Sequence, residues 1–299
     1  VERPDGALAR RRGEAGGVNV AALDWSALLR AASACDESAR LPFRVDGRRV
    51  GSVARAHLPA LRAWPQWLAV GADVNLIASE RDAALAAMHA ALREQGLIVA
   101  WRDEAFPLFD PETRMPLALM ERAAARFWGT LTLGAHANGF LAGAGGRPSH
   151  LWIAQRSPHK ATDPGCFDNL IGGGVAAGQS PWQALVREGF EEAGLSPDQM
   201  AVARAGRVIR LRRDIPEGLQ LEDLHSWDLA LPEGVAPSNQ DGEVAGFTLM
   251  TVDEALALAA GGRMTVDAAL VTLDFGLRHG LLAPAESEAL AGRLFGCAV

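Results

Sequence analysis

Residues 172–195 read GGGVAAGQSPWQALVREGFEEAGL, and this stretch decides the fold. Ser180 precedes Pro181 and is followed three residues later by Gln183, a capping-box arrangement that predicts a helix starting at Pro181. Trp182, Leu185, Val186, Gly189, Phe190 and Ala193 recur at three- and four-residue spacing and predict its buried face, while Gly194 suits its C-terminal cap. The same spacing places Glu188, Glu191 and Glu192 together on the opposite face. Carboxylates at i, i+3 and i+4 repel one another unless a cation sits among them, and three hard oxygen donors suit Mg2+ or Mn2+. Arg187 and Glu191, four residues apart, can pair and so orient one of the acids. Before the helix, Gly172-Gly173-Gly174 lets the backbone bend closely and turn N–H groups toward a phosphate.

The segment resembles the signature of the Nudix hydrolases: a glycine, five residues, a glutamate, seven residues, then Arg-Glu-hydrophobic-x-Glu-Glu-x-Gly-hydrophobic. Gly173, Gln179, Arg187, Glu188, Gly189, Glu191, Glu192, Gly194 and Leu195 fall at its fixed positions, with departures at Gln179, where the family has glutamate, and at Gly189, where it has a hydrophobic residue. The resemblance implies an α/β/α sandwich with a mixed sheet. It also implies Glu188, Glu191 and Glu192 as metal ligands, one of them activating water, and Glu243 as a further base or ligand. Flanking segments, WRDEAF (101–106), GAHANGFL (134–141), WIAQRSPHKATDPGCFDNL (152–170) and DGEVAGF (241–247), are similar to the thiamine-pyrophosphokinase-related Nudix proteins. Members of that subfamily carry an N-terminal domain of unassigned function and are associated with hydrolysis of thiamine diphosphate and its oxidised forms to the monophosphate. Ala245 and Gly246 replace two acids common in that subfamily.

Arg156, Lys160, Gly173 and Gly174 are candidate diphosphate contacts, and His136 and Asn138 either touch substrate or hold a strand end. Two other readings stand beside the thiamine one. The chain is alternatively a pyrophosphatase for a nucleoside diphosphate derivative such as ADP-ribose or a dinucleotide, or a binding module without turnover, for which Gln179, Ala245 and Gly246 argue. Cys166 brings to mind the isopentenyl-diphosphate isomerases, which share the fold. They place their cysteine just after the asparagine, where this chain has Leu170 and Ile171.

Working outward, 1–18 reads as a flexible tail, 19–116 as a smaller α+β domain, and 117–299 as the Nudix domain with C-terminal helices. In the first domain, residues 20–34 have helical spacing, LPFRVDGRRVGSV (41–53) reads strand, Asp-Gly turn, strand, and SERDAALAAMHAALREQ (79–95) reads as a helix capped by Ser79. LIVAWR (97–102) looks like a strand, the proline-punctuated 106–116 like a linker, and PLALMERAAARF (116–127) like a helix. Strands are expected at 129–143, 150–156, 207–213, 225–231 and 245–251, and a helix at 265–280. RVIRLRR (207–213) alternates like a half-buried edge strand.

The composition narrows the function classes. Across 299 residues, 29 basic face 36 acidic side chains, a net charge of −7, so no general positive field exists to hold nucleic acid or an anionic membrane. The expected partner is a small-molecule diphosphate, and a homodimer is compatible. Three dispersed cysteines fit a reducing cytoplasm. Lys160 is the single lysine, and it lies shortly before the box.

Overall fold

A computed structural model describes residues 23–295. The expected tail, 1–18, and Cys297 lie outside the described residues.

A seven-stranded mixed sheet forms the centre of the C-terminal unit. It comprises β7 (Leu131–Ala142), β8 (Pro148–Arg156), β9 (Phe167–Asp168), β10 (Ile171–Gly174), β11 (Arg204–Ile215), β12 (Gly218–Ala230) and β13 (Val244–Thr251), in the order β11-β12-β7-β8-β13. β12 runs parallel to β7, and the other pairings are antiparallel. The sheet forks at β7: residues 139–142 pair with β8, whereas 134–137 pair with β10. β9 pairs with β8 inside this fork.

Helices cover both faces. On one, α5 (Pro181–Ala193) and α6 (Pro197–Met200) pack Leu185, Ala193 and Met200 against Ala135, Ala137 and Leu229. On the other, α7 (Val252–Ala260), α8 (Val266–Arg278) and α9 (Pro284–Phe295) bury Leu256, Leu273 and Phe275 against Phe140, Ile153 and Leu211. This is the expected α/β/α sandwich. RVIRLRR lies in the edge strand β11, where Arg210 is paired with Asp223 at 2.7 Å and Arg212 with Glu37.

The N-terminal unit has a four-stranded sheet in the order β2-β1-β4-β3, built from β1 (Arg40–Val45), β2 (Arg48–Ala54), β3 (Leu68–Val70) and β4 (Val74–Leu76). The expected hairpin is present: Asp46 and Gly47 both have positive φ, 51° and 78°, as a two-residue turn of the primed type requires. Its core gathers Phe43, Leu85, Met88 and Trp128, with α3 (Arg81–Glu94) and α4 (Arg122–Trp128) packed in. The short α2 (Leu58–Leu61) completes it.

The structure corrects several expectations. Residues 106–116 are not a linker, because β5 (Ala105–Phe109) pairs with β6 (Pro116–Glu121). The helix expected at 116–127 is β6 followed by α4, entered through Glu121, whose side chain caps Ala123 N–H at 3.2 Å. Residues 97–102 form no strand, and Ala100 and Asp103 take positive φ. The α3 cap position is Glu80 rather than Ser79, and no side chain caps it. Ala118, Met120, Phe127 and Trp128 lie in the N-terminal core, so the change of unit falls near residue 130 instead of 116. The first helix, α1 (Ser26–Ser33), crosses over: Trp25, Leu28 and Leu29 are buried in the C-terminal core beside α8. No helix among the described residues is long and apolar enough to span a membrane.

Candidate active site

The box helix α5 begins as its sequence dictates. The Ser180 hydroxyl accepts from Gln183 N–H at 3.2 Å, the Gln183 side chain accepts from Ser180 N–H at 2.8 Å, and Gly194 closes the helix at φ 66°. Its orientation differs from the expectation. Phe190 is 57% exposed and Trp182 37%, whereas Glu188 and Glu192 are buried beside Leu185 and Gly189. The cause is the glycine strand β10. A Cβ at Gly173 would come within 2.1 Å of Glu188 Oε1, so only glycine leaves room for the acid to turn inward. Glu192 reaches further along β10 and accepts from Gly172 N–H at 2.9 Å.

The two buried acids are costly to ionise. Burial raises the pKa of each, and the charge of Glu188 raises that of Glu192 further, against opposing help from Lys160 and the Gly172 N–H. Glu243 behaves in the opposite way. Burial would raise it, but Lys160, Arg102 and Arg122 together hold it below the usual carboxylate range.

The three box glutamates do not converge on one point. Arg187 binds Glu191 at 2.6 Å and Glu188 at 2.8 Å, and so draws Glu191 outward. Lys160 lies between Glu243, with which it is tightly paired, and Glu192 at 3.6 Å. Among the described residues, no group of three or more His, Cys, Asp or Glu is arranged to hold a metal. The donor chemistry nevertheless suits a hard divalent cation: two buried carboxylates one helical turn apart, one of them turned inward over a glycine where a Cβ would block it.

A cleft of about 100 Å³ opens beside these acids, in the fork of the sheet. Gly172, Gly173, Gly174, His136, Arg156, Lys160, Glu188 and Glu243 line it. Arg156 is locked in place, donating to Asp168 at 2.9 Å and to the Thr162 and Asp163 carbonyls at 2.9 and 3.2 Å. His136 Nδ1 meets Asn169 Oδ1 at 3.1 Å. Asn138 is not part of the cleft: it is 1% exposed, with its amide on the Val271 carbonyl at 3.3 Å and its Oδ1 accepting from Asn169 at 2.9 Å. Asn138, inside β7, thus ties that strand to α8 and to Asn169. Gln179 keeps a buried Oε1 with no hydrogen-bond partner among the described residues.

Sequence reasoning missed Arg102, Arg122 and Arg126, which line the cleft from the N-terminal side. No motif marks them. A hint lay in WRDEAF, which holds Arg102 and Glu104, because Glu104 binds Arg122 at 2.8 Å. The two units are also joined by backbone, since Ala177 N–H donates to the Ala105 carbonyl at 2.9 Å.

A forked mixed sheet between helix layers, with a capped acidic helix laid on a glycine strand, defines a class of hydrolase fold. Residues 132–268 match the family described as NUDIX domain, and residues 24–132 match a domain of unknown function, DUF4743. The chain is 37% identical to the chloroplastic Nudix hydrolase 20 of Arabidopsis thaliana over 213 residues, 70% of this chain and 55% of the relative. It is 33% identical to the chloroplastic Nudix hydrolase 24 of the same plant over 254 residues, 82% of this chain and 69% of the relative. Among solved structures, an Ap4A hydrolase from C. elegans aligns at 18% identity and TM-score 0.36, covering 54% of this chain and 98% of that one. The chain belongs to the Nudix hydrolases, and it spans about half the length of the first of these relatives.

Proposed function

We propose that this protein hydrolyses a diphosphate linkage with a divalent metal ion, Mg2+ or Mn2+. Its substrate is thiamine diphosphate or an oxidised derivative, cut to the monophosphate and phosphate in a reducing cytoplasm. The observation that carries the reaction type is one cleft joining the buried box carboxylate Glu188, and Glu243, to the cationic side chains Arg102, Arg122, Arg126, Arg156 and Lys160. The thiamine carrier is supported by the resemblance of the flanking segments and by the additional N-terminal domain. No Phe or Trp among the described residues lines the cleft to distinguish one carrier from another, so a nucleoside diphosphate derivative such as ADP-ribose is the second reading.

Glu188 and Glu192, with Glu191, would hold the metal, which when bound offsets the charge of the diphosphate and lowers the pKa of water. Glu243, which lines the cleft, takes the proton as the water oxygen bonds to phosphorus, loosening its pair with Lys160 as it does so. The anhydride bond breaks, and its electron pair leaves with the phosphate oxygen, whose charge faces the cations of the cleft. Arg187 orients Glu188 and Glu191, while Gly173 makes room for Glu188 and Gly174 for Phe106 and Arg122 in the lining that would take the phosphate.

The test is hydrolysis with Mg2+, followed as phosphate released from thiamine diphosphate and its oxo and oxy forms, and as the phosphate monoesters formed from ADP-ribose and a dinucleotide. Cleavage of the thiamine compounds is expected. Cleavage of ADP-ribose alone would overturn the carrier, and binding without turnover of any compound would make the chain a binding module. Glu188→Gln and Glu243→Gln should each lower kcat by at least about a hundredfold with the fold intact by circular dichroism.

A further inference from the structure

The N-terminal unit, which matches a domain of unknown function, sends three arginines into a cleft whose acids all come from the other unit. Arg122 and Arg126 stand four residues apart on α4 and both line the cleft. Like charges at that spacing disfavour a helix unless an anion lies between them. The acids that line the same cleft, among them Glu188 of α5 with Asp168, Glu222 and Glu243, all belong to the C-terminal unit, so the cleft joins acids from one unit to a basic pair from the other.

Arg122 is held ready rather than consumed. Its Nη1 donates to Glu104 at 2.8 Å, and its guanidinium lies 5.3 Å from the centre of the Phe106 ring, which leaves most of its five N–H donors unused. Gly174 is shaped to this placement, since a Cβ there would lie 3.1 Å from Arg122 Cζ and 2.7 Å from Phe106 Cζ. Arg126 makes no ion pair among the described residues. Arg102 reaches the same cleft and meets Glu243 at 3.5 Å.

We propose that the N-terminal unit supplies the anion-binding half of the active site, with Arg122 and Arg126 gripping the substrate diphosphate opposite the box helix. This rests on the diphosphatase reading above and gives the domain of unknown function a task. Glu104 is then a positioning residue, acting through Arg122.

The experiment is calorimetric titration of the full chain with methylene diphosphonate, a non-hydrolysable diphosphate, in the presence of Mn2+. Mn2+ binding without the anion is followed separately by electron paramagnetic resonance. Arg122→Gln and Arg126→Gln should each weaken diphosphonate binding about 10- to 100-fold, as expected for loss of a charged hydrogen bond, and leave Mn2+ affinity within a few-fold of the parent. Arg122→Lys should recover part of the loss, because the charge returns without the planar fork. If the parent binds diphosphonate and both glutamine variants bind it equally well, the inference is wrong. If the parent chain itself binds no diphosphonate, the diphosphatase reading fails first.

Discussion

Lys160, the single lysine, stands between Glu192 and Glu243, so its charge is spent on neighbouring carboxylates in the described structure rather than left open to solvent. A compact ammonium fits between two acids where a guanidinium fork is larger. His89 shows burial acting in the opposite sense. It is fully buried, accepts from Trp128 Nε1 at 2.8 Å, and burial pushes its pKa down from 6.5 to about 3. The unfolded chain takes up that proton as pH falls below 6.5, while the folded chain refuses it until about 3. Stability should therefore decline across this window as pH falls, by at most about 1.4 kcal/mol per unit from this group. His89→Gln keeps an acceptor for Trp128 and removes the titration. Urea midpoints between pH 7 and 4 should then fall less steeply in the variant, and parallel profiles would show that His89 is not held neutral.

At the scale of elements, the legible parts were those with a local cause. The capping box of α5, the glycine that ends it, the Asp-Gly hairpin and the alternation of β11 were all readable because each depends on residues a few positions apart. The unreadable parts depend on distant partners. PLALME has helix-forming residues but becomes β6 because β5 pairs with it, and Phe190 faces outward because β10, not the helix, decides which side is buried. The cationic wall was unreadable for the same reason, since Arg122 meets Gly174 only after folding. One departure from the family signature gains an explanation here. Gly189 replaces a hydrophobic residue because Met200 of α6 occupies the space: a Cβ there would lie 2.8 Å from Met200 Sδ and 3.3 Å from Ile171 Cδ1. Gly189→Leu should cost about 1–3 kcal/mol by overpacking and Met200→Ala about 2–5 kcal/mol by leaving a cavity. The double variant should be more stable than their sum by about 0.5–3 kcal/mol in chemical denaturation. Strict additivity would mean that the two do not share the space.

At the scale of the molecule, the two units are interleaved rather than strung in series. α1 precedes the N-terminal sheet in sequence but buries Trp25, Leu28 and Leu29 against α8 and β11. A fragment comprising 132–295 should therefore expose that apolar surface, bind a hydrophobic dye and be cleaved faster by protease than the full chain. Equal protease resistance would show that α1 adds nothing to the C-terminal core. The same crossing has a consequence for synthesis. α1 ends at residue 33 and its partner helix starts at residue 266, so on a ribosome adding about 5–20 residues per second the early helix waits on the order of tens of seconds for its seat to exist. During that interval the apolar stripe of α1 lacks its α8 partner, and the C-terminal core is completed only when both ends of the fold close together.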